Sequence, residues 1–278
     1  MSQVFRFAPS PNGFLHLGHA YSALLNARLA RESGGRFLLR IEDIDTRRAR
    51  PTFELAIYED LAWLGLDWER PVRRQSEHFD EYAQALERLD AMGLIYACDC
   101  RRSAIARLAQ TRAGWSHDPD GSPLYPGSCR LKPHRPAREI LAAGGVALRL
   151  DMRKAVELVG QGLTWREGER TIAADPARWG DVILARKDTP ASYHLAVVLD
   201  DALQGVTDVV RGRDLYYATS VHRLLQRLLG LPEPRYLHHD LLRDASGEKL
   251  AKSRGAESLC DLRRSGGLAE QILQRLEL

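Results

Sequence analysis

The spacing of hydrophobic positions changes period along the chain. Val4-Phe5-Arg6-Phe7-Ala8 is a short apolar run closed by the turn cluster Pro9-Ser10-Pro11-Asn12-Gly13, and it predicts a buried strand. Ala20, Leu24, Leu25 and Leu29 then recur at helical spacing until Gly34-Gly35 stops the pattern. Arg36-Phe37-Leu38-Leu39-Arg40-Ile41 predicts the next strand. A strand, a helix and a strand of these lengths imply a parallel pair joined by a right-handed crossover. Helices are predicted over about 52–64, on Phe53, Ile57, Leu61 and Leu64, and over about 78–92, on Tyr82, Leu86 and Leu89.

The middle of the chain loses this order. Residues 98–136 hold five prolines, three glycines and three of the four cysteines, which predicts an irregular, locally stapled insert. Residues 146–185 predict short strands with turns. Apolar density returns at Leu195-Ala196-Val197-Val198-Leu199 and at Val206–Val210, and Leu215, Val221, Leu224, Leu225 and Leu228 predict a helix over 215–229. No internal repeat is visible. The whole reads as one α/β domain interrupted by an insertion.

Composition narrows the class. With 278 residues, 44% hydrophobic and 28% charged, the chain is long enough for one large or two modest cores and excludes disordered and fibrous classes. Forty basic against thirty-seven acidic residues leave +3, too small a balance to declare a nucleic-acid binder. No apolar run reaches membrane-spanning length, and the N-terminus MSQVFRFAPSPNG lacks a signal-type apolar region, so the expected compartment is the cytoplasm. In such a compartment Cys98, Cys100 and Cys129 point to metal before disulfide.

Two patterns carry candidate chemistry. His16-Leu17-Gly18-His19 follows a strand and a turn and opens a helix. Unpaired backbone N–H groups and the helix dipole favour an anion there, two imidazoles are able to donate to phosphate oxygens, and Gly18 lets a flat ring approach the backbone. Lys249-Leu250-Ala251-Lys252-Ser253 lies in a polar loop opened by Asp244-Ala245-Ser246-Gly247-Glu248, where lysines suit charge developing on a phosphate. Taken singly, the histidine pattern fits a helix with two surface histidines equally well, and the lysine pattern fits a solvated surface loop better.

Taken in order, the two patterns resemble the HIGH and KMSKS signatures of class I aminoacyl-tRNA synthetases. The resemblance sharpens at residues 5–19, at Leu39-Arg40-Ile41-Glu42-Asp43-Ile44-Asp45-Thr46-Arg47, at Tyr193–Asp201 and at Gly205–Gly212, all similar to the glutamyl-tRNA synthetase group. Only 25 residues follow Ser253, too few for an anticodon-binding domain. The expectation is therefore the shortened branch, the glutamyl-queuosine tRNA(Asp) synthetase family. That branch activates glutamate with ATP and esterifies the cyclopentenediol of queuosine in the anticodon of tRNA(Asp).

The resemblance implies a Rossmann-type parallel sheet in two halves, residues 1–95 and 190–230. A zinc-binding insertion, 96–189, divides them, and a C-terminal region, 231–278, carries the KMSKS-like loop. It also implies site roles. His16, Gly18, His19, Lys249, Lys252 and Ser253 would bind ATP, with His16, His19 and Lys252 as the catalytic groups. Arg6, Phe7, Ala8, Pro9, Ser10, Glu42, Tyr193 and Arg211 would bind L-glutamate. Chemistry agrees with part of this: guanidinium pairs bidentately with carboxylate, and Glu42 suits the ammonium. Arg6 has the alternative of pairing structurally with Glu42, Arg213 competes with Arg211, and Asp43 and Asp45 read as ion-pair or cap residues.

One structural Zn²⁺ is expected, on Cys98, Cys100 and Cys129, with Tyr125 given the fourth place by the resemblance. His117 and His134 remain alternatives for that place, three reduced thiols without metal are another, and Cys260 reads as an ordinary small apolar residue. ATP is expected as a substrate, with Mg²⁺ on its phosphates. The partners expected are L-glutamate, ATP and queuosine-containing tRNA(Asp), with no membrane and no obligate protein partner. Arg101, Arg102, Arg107, Arg112, Lys132 and Trp115 make the insert locally basic without marking RNA contacts. A shortened enzyme that charges a tRNA 3′ end and a silent RNA-binding paralogue are the rival readings.

Overall fold

A computed structural model describes residues 2–242 and 257–276. In chain order the elements are β1 (Val4–Phe7), α1 (Leu17–Glu32), β2 (Arg36–Ile41), α2 (Pro51–Trp63), β3 (Glu69–Arg74), α3 (Phe79–Ala91) and β4 (Ile95–Cys98). They continue with α4 (Arg102–Gln110), α5 (Ala137–Ala143), β5 (Ala147–Leu150), α6 (Met152–Val159), β6 (Thr164–Glu167), β7 (Arg170–Ala173) and β8 (Ile183–Ala185). The last are α7 (Tyr193–Leu203), β9 (Asp208–Gly212), α8 (Thr219–Leu229), β10 (Arg235–His239), α9 (Leu259–Arg264) and α10 (Ala269–Arg275).

The chain divides into two compact units. The first contains Met1–Glu77, Gln204–Tyr216 and Pro234–Leu278. Its strands are parallel in the order β3-β2-β1-β9-β10. The chain steps from β1 to β2 on one side, while β9 flanks β1 on the other. The order therefore reverses beside β1, and ligands of open parallel sheets sit outside the carboxyl ends of the strands at such a reversal. Helix α1 is buried on two sides. Leu17, Ala20, Ala23 and Leu24 join a core with Phe7, Leu39, Ile41, Ile57 and Leu61. Leu25 and Ala30 pack with Phe5 and Val210. Leu259, Ile272 and Leu276 tie the C-terminal helices into the first of these cores.

The second unit contains His78–Leu203 and Tyr217–Glu233. It holds the antiparallel sheet β4-β5-β8 and the hairpin β6–β7. Its core includes Leu86, Leu89, Ile140, Leu148, Leu150, Leu195, Val221, Leu224 and Leu225, all fully or nearly fully buried. Tyr82 donates its hydroxyl to both carboxylate oxygens of Asp200 at 2.9–3.0 Å, so a buried acid of the Asp200-Asp201 motif is satisfied within this unit.

Most predicted elements form within two residues of their expected limits, but the stretch 146–185, expected as short strands with turns, also holds the helix α6, which Asp151 caps by accepting the Lys154 N–H. The differences have physical reasons. Strand β3 (ERPVRR) has no apolar alternation and was not expected; it is an edge strand, where Pro71 and charge are tolerated. Helix α4 lies in the segment expected to be irregular; it is a short helix of nine residues with none of them buried. The helix expected over 215–229 begins at Thr219, after a 3-10 turn at Arg213–Leu215.

Candidate functional site at the carboxyl edge of the parallel sheet

The loop after β1 leads to His16, the N-cap of α1, in extended conformation. The Nδ1 of His16 accepts the Gly18 N–H at 3.1 Å, and the Nδ1 of His19 accepts the His16 N–H at 3.1 Å. This is a capping box built from two histidines instead of Ser and Glu. Its consequence is chemical. Each ring uses Nδ1 as an acceptor, so the proton of each neutral imidazole resides on Nε2. The cap thus selects the tautomer that donates from its outer nitrogen. The two rings lie 3.9 Å apart. Gly18 serves the pair directly: a Cβ there would stand 3.0–3.1 Å from the His16 ring. The flat ring that approaches this backbone is the chain's own imidazole.

The end of α1 that bears these histidines is tethered to the far end of the sequence. Leu259 N–H donates to the Leu15 carbonyl at 2.8 Å, and Ser258 bridges His16. Lys249, Lys252 and Ser253, assigned above to ATP, lie outside the described residues.

The glutamate candidates of the first unit come from adjacent strands. Arg6 is buried on β1, with its Nη1 3.5 Å from the Val210 carbonyl, which also accepts from Asn26 at 3.1 Å. Phe7 faces the opposite way and packs in the core, so its side chain is committed to folding. Pro9 is buried, Ala8 and Ser10 are half-buried, and the Pro9 carbonyl accepts the Glu42 N–H at 3.0 Å. That bond stitches the turn after β1 to the end of β2. Glu42 is held by Arg40, whose Nη2 meets its Oε1 at 3.0 Å while Nη1 reaches Gln204 at 3.1 Å. Arg40 is fully buried. Arg40 is a partner of Glu42 that the motifs do not announce; the signal for it is the i, i+2 spacing, which puts both on one face of an extended segment.

Arg211 is 5% exposed on β9, whereas the Arg213 side chain is 65% exposed and pairs with Asp240 at 3.3 Å. Asp43 accepts both the N–H and the hydroxyl of Ser76, at 2.8 and 2.6 Å, a structural clasp. Tyr193 belongs to the second unit, at the first position of α7, with its ring 5.5 Å from that of His222.

The cysteine cluster also lies in the second unit. The Sγ atoms of Cys98, Cys100 and Cys129 all lie within 4.8 Å of one another, and Cys100 and Cys129 are 3.6 Å apart. Ligands around tetrahedral zinc at about 2.3 Å are separated by roughly 3.8 Å, so the spacing fits a shared ion. Tyr125 is brought in by a Pro126-Gly127 turn in which Gly127 has φ of 79°, a conformation that requires glycine. Its hydroxyl accepts the Cys129 N–H at 2.8 Å and lies 3.8 Å from the Cys100 sulfur. Among the described residues no histidine joins the cluster. His134 is paired instead with Asp90 at 3.6 Å.

Arg149 was not anticipated. Its Nε donates to the Cys98 sulfur at 3.3 Å, its guanidinium lies 4.0 Å from the Tyr125 ring centre, and its Nη1 is held by the Asp181 carbonyl. Burial works to raise the Cys98 thiol, but the Tyr125 hydroxyl and Arg149 outweigh it and hold the thiol below its ordinary value. Burial and the neighbouring thiols push Cys100 up, and burial and the thiols push the Tyr125 phenol up. Three thiolates around a divalent ion leave excess negative charge, and Arg149 supplies a cation at contact distance. The donor set fits a structural metal.

Among the described residues no helix is long and apolar enough to cross a membrane. The family model for the catalytic domain of class I tRNA synthetases (E and Q) matches residues 3–278. The chain is 47% identical, over 99% of its length and 100% of the relative's, to glutamyl-Q tRNA(Asp) synthetase of Rhodobacter capsulatus. It is 42% identical to glutamyl-Q tRNA(Asp) synthetase of Deinococcus radiodurans, covering 99% of this chain and 88% of the relative. The crystal structure of the glutamate–tRNA synthetase of Elizabethkingia anophelis superposes with a TM-score of 0.73 at 25% identity, covering 96% of this chain and 54% of that one. The chain therefore spans about half the length of that solved synthetase and the full length of the Rhodobacter capsulatus relative. On the family match, the near-complete identity coverage and the shared fold, the chain belongs to the glutamyl-Q tRNA(Asp) synthetase family of class I tRNA synthetases.

Proposed function

We propose that the chain is an ATP-dependent ligase that activates L-glutamate and transfers it to the cyclopentenediol of queuosine in the anticodon of tRNA(Asp). One observation carries this reading. In one unit, buried Arg6, Arg40 and Arg211 sit on strands of a parallel sheet, Glu42 follows the second strand and pairs with Arg40, and the helix after the first strand opens with two histidines locked as Nε2 donors.

The α-carboxylate of glutamate attacks the α-phosphate of ATP, and pyrophosphate leaves. The Nε2–H groups of His16 and His19 hold phosphate oxygens through the change in geometry, and no protein nucleophile is needed. Mg²⁺ accompanies the phosphates. Arg211 grips the side-chain carboxylate, Glu42 takes the ammonium in an orientation set by Arg40, and Arg6 supplies the remaining cation. Ala8 and Ser10 line the pocket, and two assignments rest on the sequence resemblance alone: Tyr193 to glutamate, and Lys252 to the pyrophosphate. A queuosine hydroxyl then attacks the mixed anhydride, forming the ester and releasing AMP.

One Zn²⁺ on Cys98, Cys100, Cys129 and Tyr125 would serve as a structural cross-link within the insertion, 96–189. The division into catalytic halves 1–95 and 190–230 with a C-terminal region 231–278 belongs to the same reading. ATP and tRNA as substrates make the cytoplasm the compartment. The test is transfer of radiolabelled glutamate, with ATP, onto tRNA containing or lacking queuosine. Label that needs queuosine and survives removal of the 3′ nucleotide supports the reading. Label on both preparations that is lost with the 3′ nucleotide contradicts it and indicates conventional charging.

A further inference from the structure

Arg211 and His238 are register partners on the adjacent parallel strands β9 and β10, so their side chains rise at one level from one face. Arg211 Nε donates to His238 Nε2 at 3.1 Å, and Arg211 Nη2 donates to the Leu215 carbonyl at 3.2 Å. The two bonds hold the guanidinium at both ends. Tyr236, two residues before His238 on β10, lies 5.4 Å below the guanidinium carbon, and its ring is parallel to the His238 ring to within 1°. Tyr216 meets the His238 ring edge-on at 5.2 Å. Both Arg211 and His238 are buried.

A guanidinium only donates, so the bond to His238 requires a bare Nε2 and a neutral imidazole with its proton on Nδ1. The bond therefore has a direction that the residue types dictate. Arginine is a long side chain with many rotamers, and a ligand that must order it binds more weakly than one that finds it ordered.

We propose that His238 is a positioning residue for glutamate recognition. By accepting the Nε–H it fixes the plane in which Arg211 presents its N–H groups, and so sets the affinity for the substrate's side-chain carboxylate. An amide in the same place would point N–H against N–H, so a fixed plane also sharpens selection of glutamate over glutamine. This rests on the assignment of Arg211 to the glutamate carboxylate.

The test measures glutamate-dependent ATP–pyrophosphate exchange by the full chain, with queuosine-containing tRNA(Asp) present, titrating glutamate and ATP separately. His238→Phe keeps a flat ring of similar size and removes the acceptor. It is expected to raise the KM for glutamate roughly tenfold to a hundredfold, the range for loss of a charge-assisted hydrogen bond, while kcat and the KM for ATP change less than about threefold. His238→Gln returns an acceptor near the Nε2 position and is expected to recover most of that loss. Three results overturn the proposal. If Arg211→Ala abolishes glutamate use while His238→Phe is silent, the positioning role fails and the reading of Arg211 stands. If His238→Gln is as poor as His238→Phe, ring packing and not the acceptor matters. If Arg211→Ala is itself silent, the assignment of Arg211 fails and the positioning role with it. Should His238→Phe not fold, His238→Asn, whose acceptor is too short to reach Arg211, replaces it in the same contrast with His238→Gln.

Discussion

The histidine cap in the first unit and the cysteine cluster in the second are positioned by different means. His16 and His19 are held by backbone N–H groups at a helix end whose next turn is sunk in the core, through Leu17, Ala20 and Leu24. Their geometry follows from folding itself. Cys98 ends a strand, Cys100 follows it, and Tyr125 and Cys129 flank a tight turn, so the donors converge from short, separate segments. The first site presents donors to a ligand that comes and goes. The second gathers soft donors and a compensating guanidinium around a position suited to a permanent ion. Under the proposed function, the difference separates a site that acts on substrate from one that holds the chain.

This contrast can be broken at four points. The largest effect is expected for Arg211→Ala, which lowers kcat/KM for glutamate by roughly three orders of magnitude, since it removes the buried partner of a charged group. Its thermal midpoint should stay close to the parent's, and full activity in this variant would overturn the pocket. Next comes Cys129→Ser. Mass spectrometry of the native chain should find one zinc, the variant should bind it far more weakly, and its stability should fall by several kcal/mol, as for loss of a structural metal. A native chain without zinc would leave three reduced thiols and remove the proposed cross-link.

His16 separates folding from chemistry. His16→Asn keeps a side chain able to cap the helix and removes the Nε2 donor, so activity should fall roughly a hundredfold with little change in stability. His16→Ala should lose activity equally and about 1 kcal/mol of stability besides. Equal stability of the two variants would show that the cap is not energetically significant. The smallest effect is expected for Gly18→Ala. The new Cβ would press on the His16 ring at 3.0–3.1 Å, raising the KM for ATP severalfold. Alanine's helix propensity, better by up to about 1 kcal/mol, would offset the strain in stability.

How much of this could be read beforehand follows the same division. β1, β2 and α1 to α3 announce themselves because buried elements carry apolar periodicity. β3 and α4 do not, because β3 is a charged edge strand and α4 is a short helix with no buried residue inside a proline- and glycine-rich stretch. His16, Glu42, Arg211 and the three thiols were legible as motifs. Their partners Arg40, His238 and Arg149 were not, since a side chain that orients another is selected by three-dimensional neighbourhood. Arg149 reaches Cys98 only because β4 and β5 pair antiparallel with Tyr96 opposite Arg149.

The most direct test of the central claim is the chemical identity of the product. Queuosine-containing tRNA(Asp), incubated with the chain, ATP and glutamate, is digested to nucleosides and analysed by mass spectrometry. The account predicts that queuosine gains the mass of one glutamyl group while the 3′-terminal adenosine is unchanged. Unmodified queuosine together with a glutamylated 3′ adenosine would contradict it.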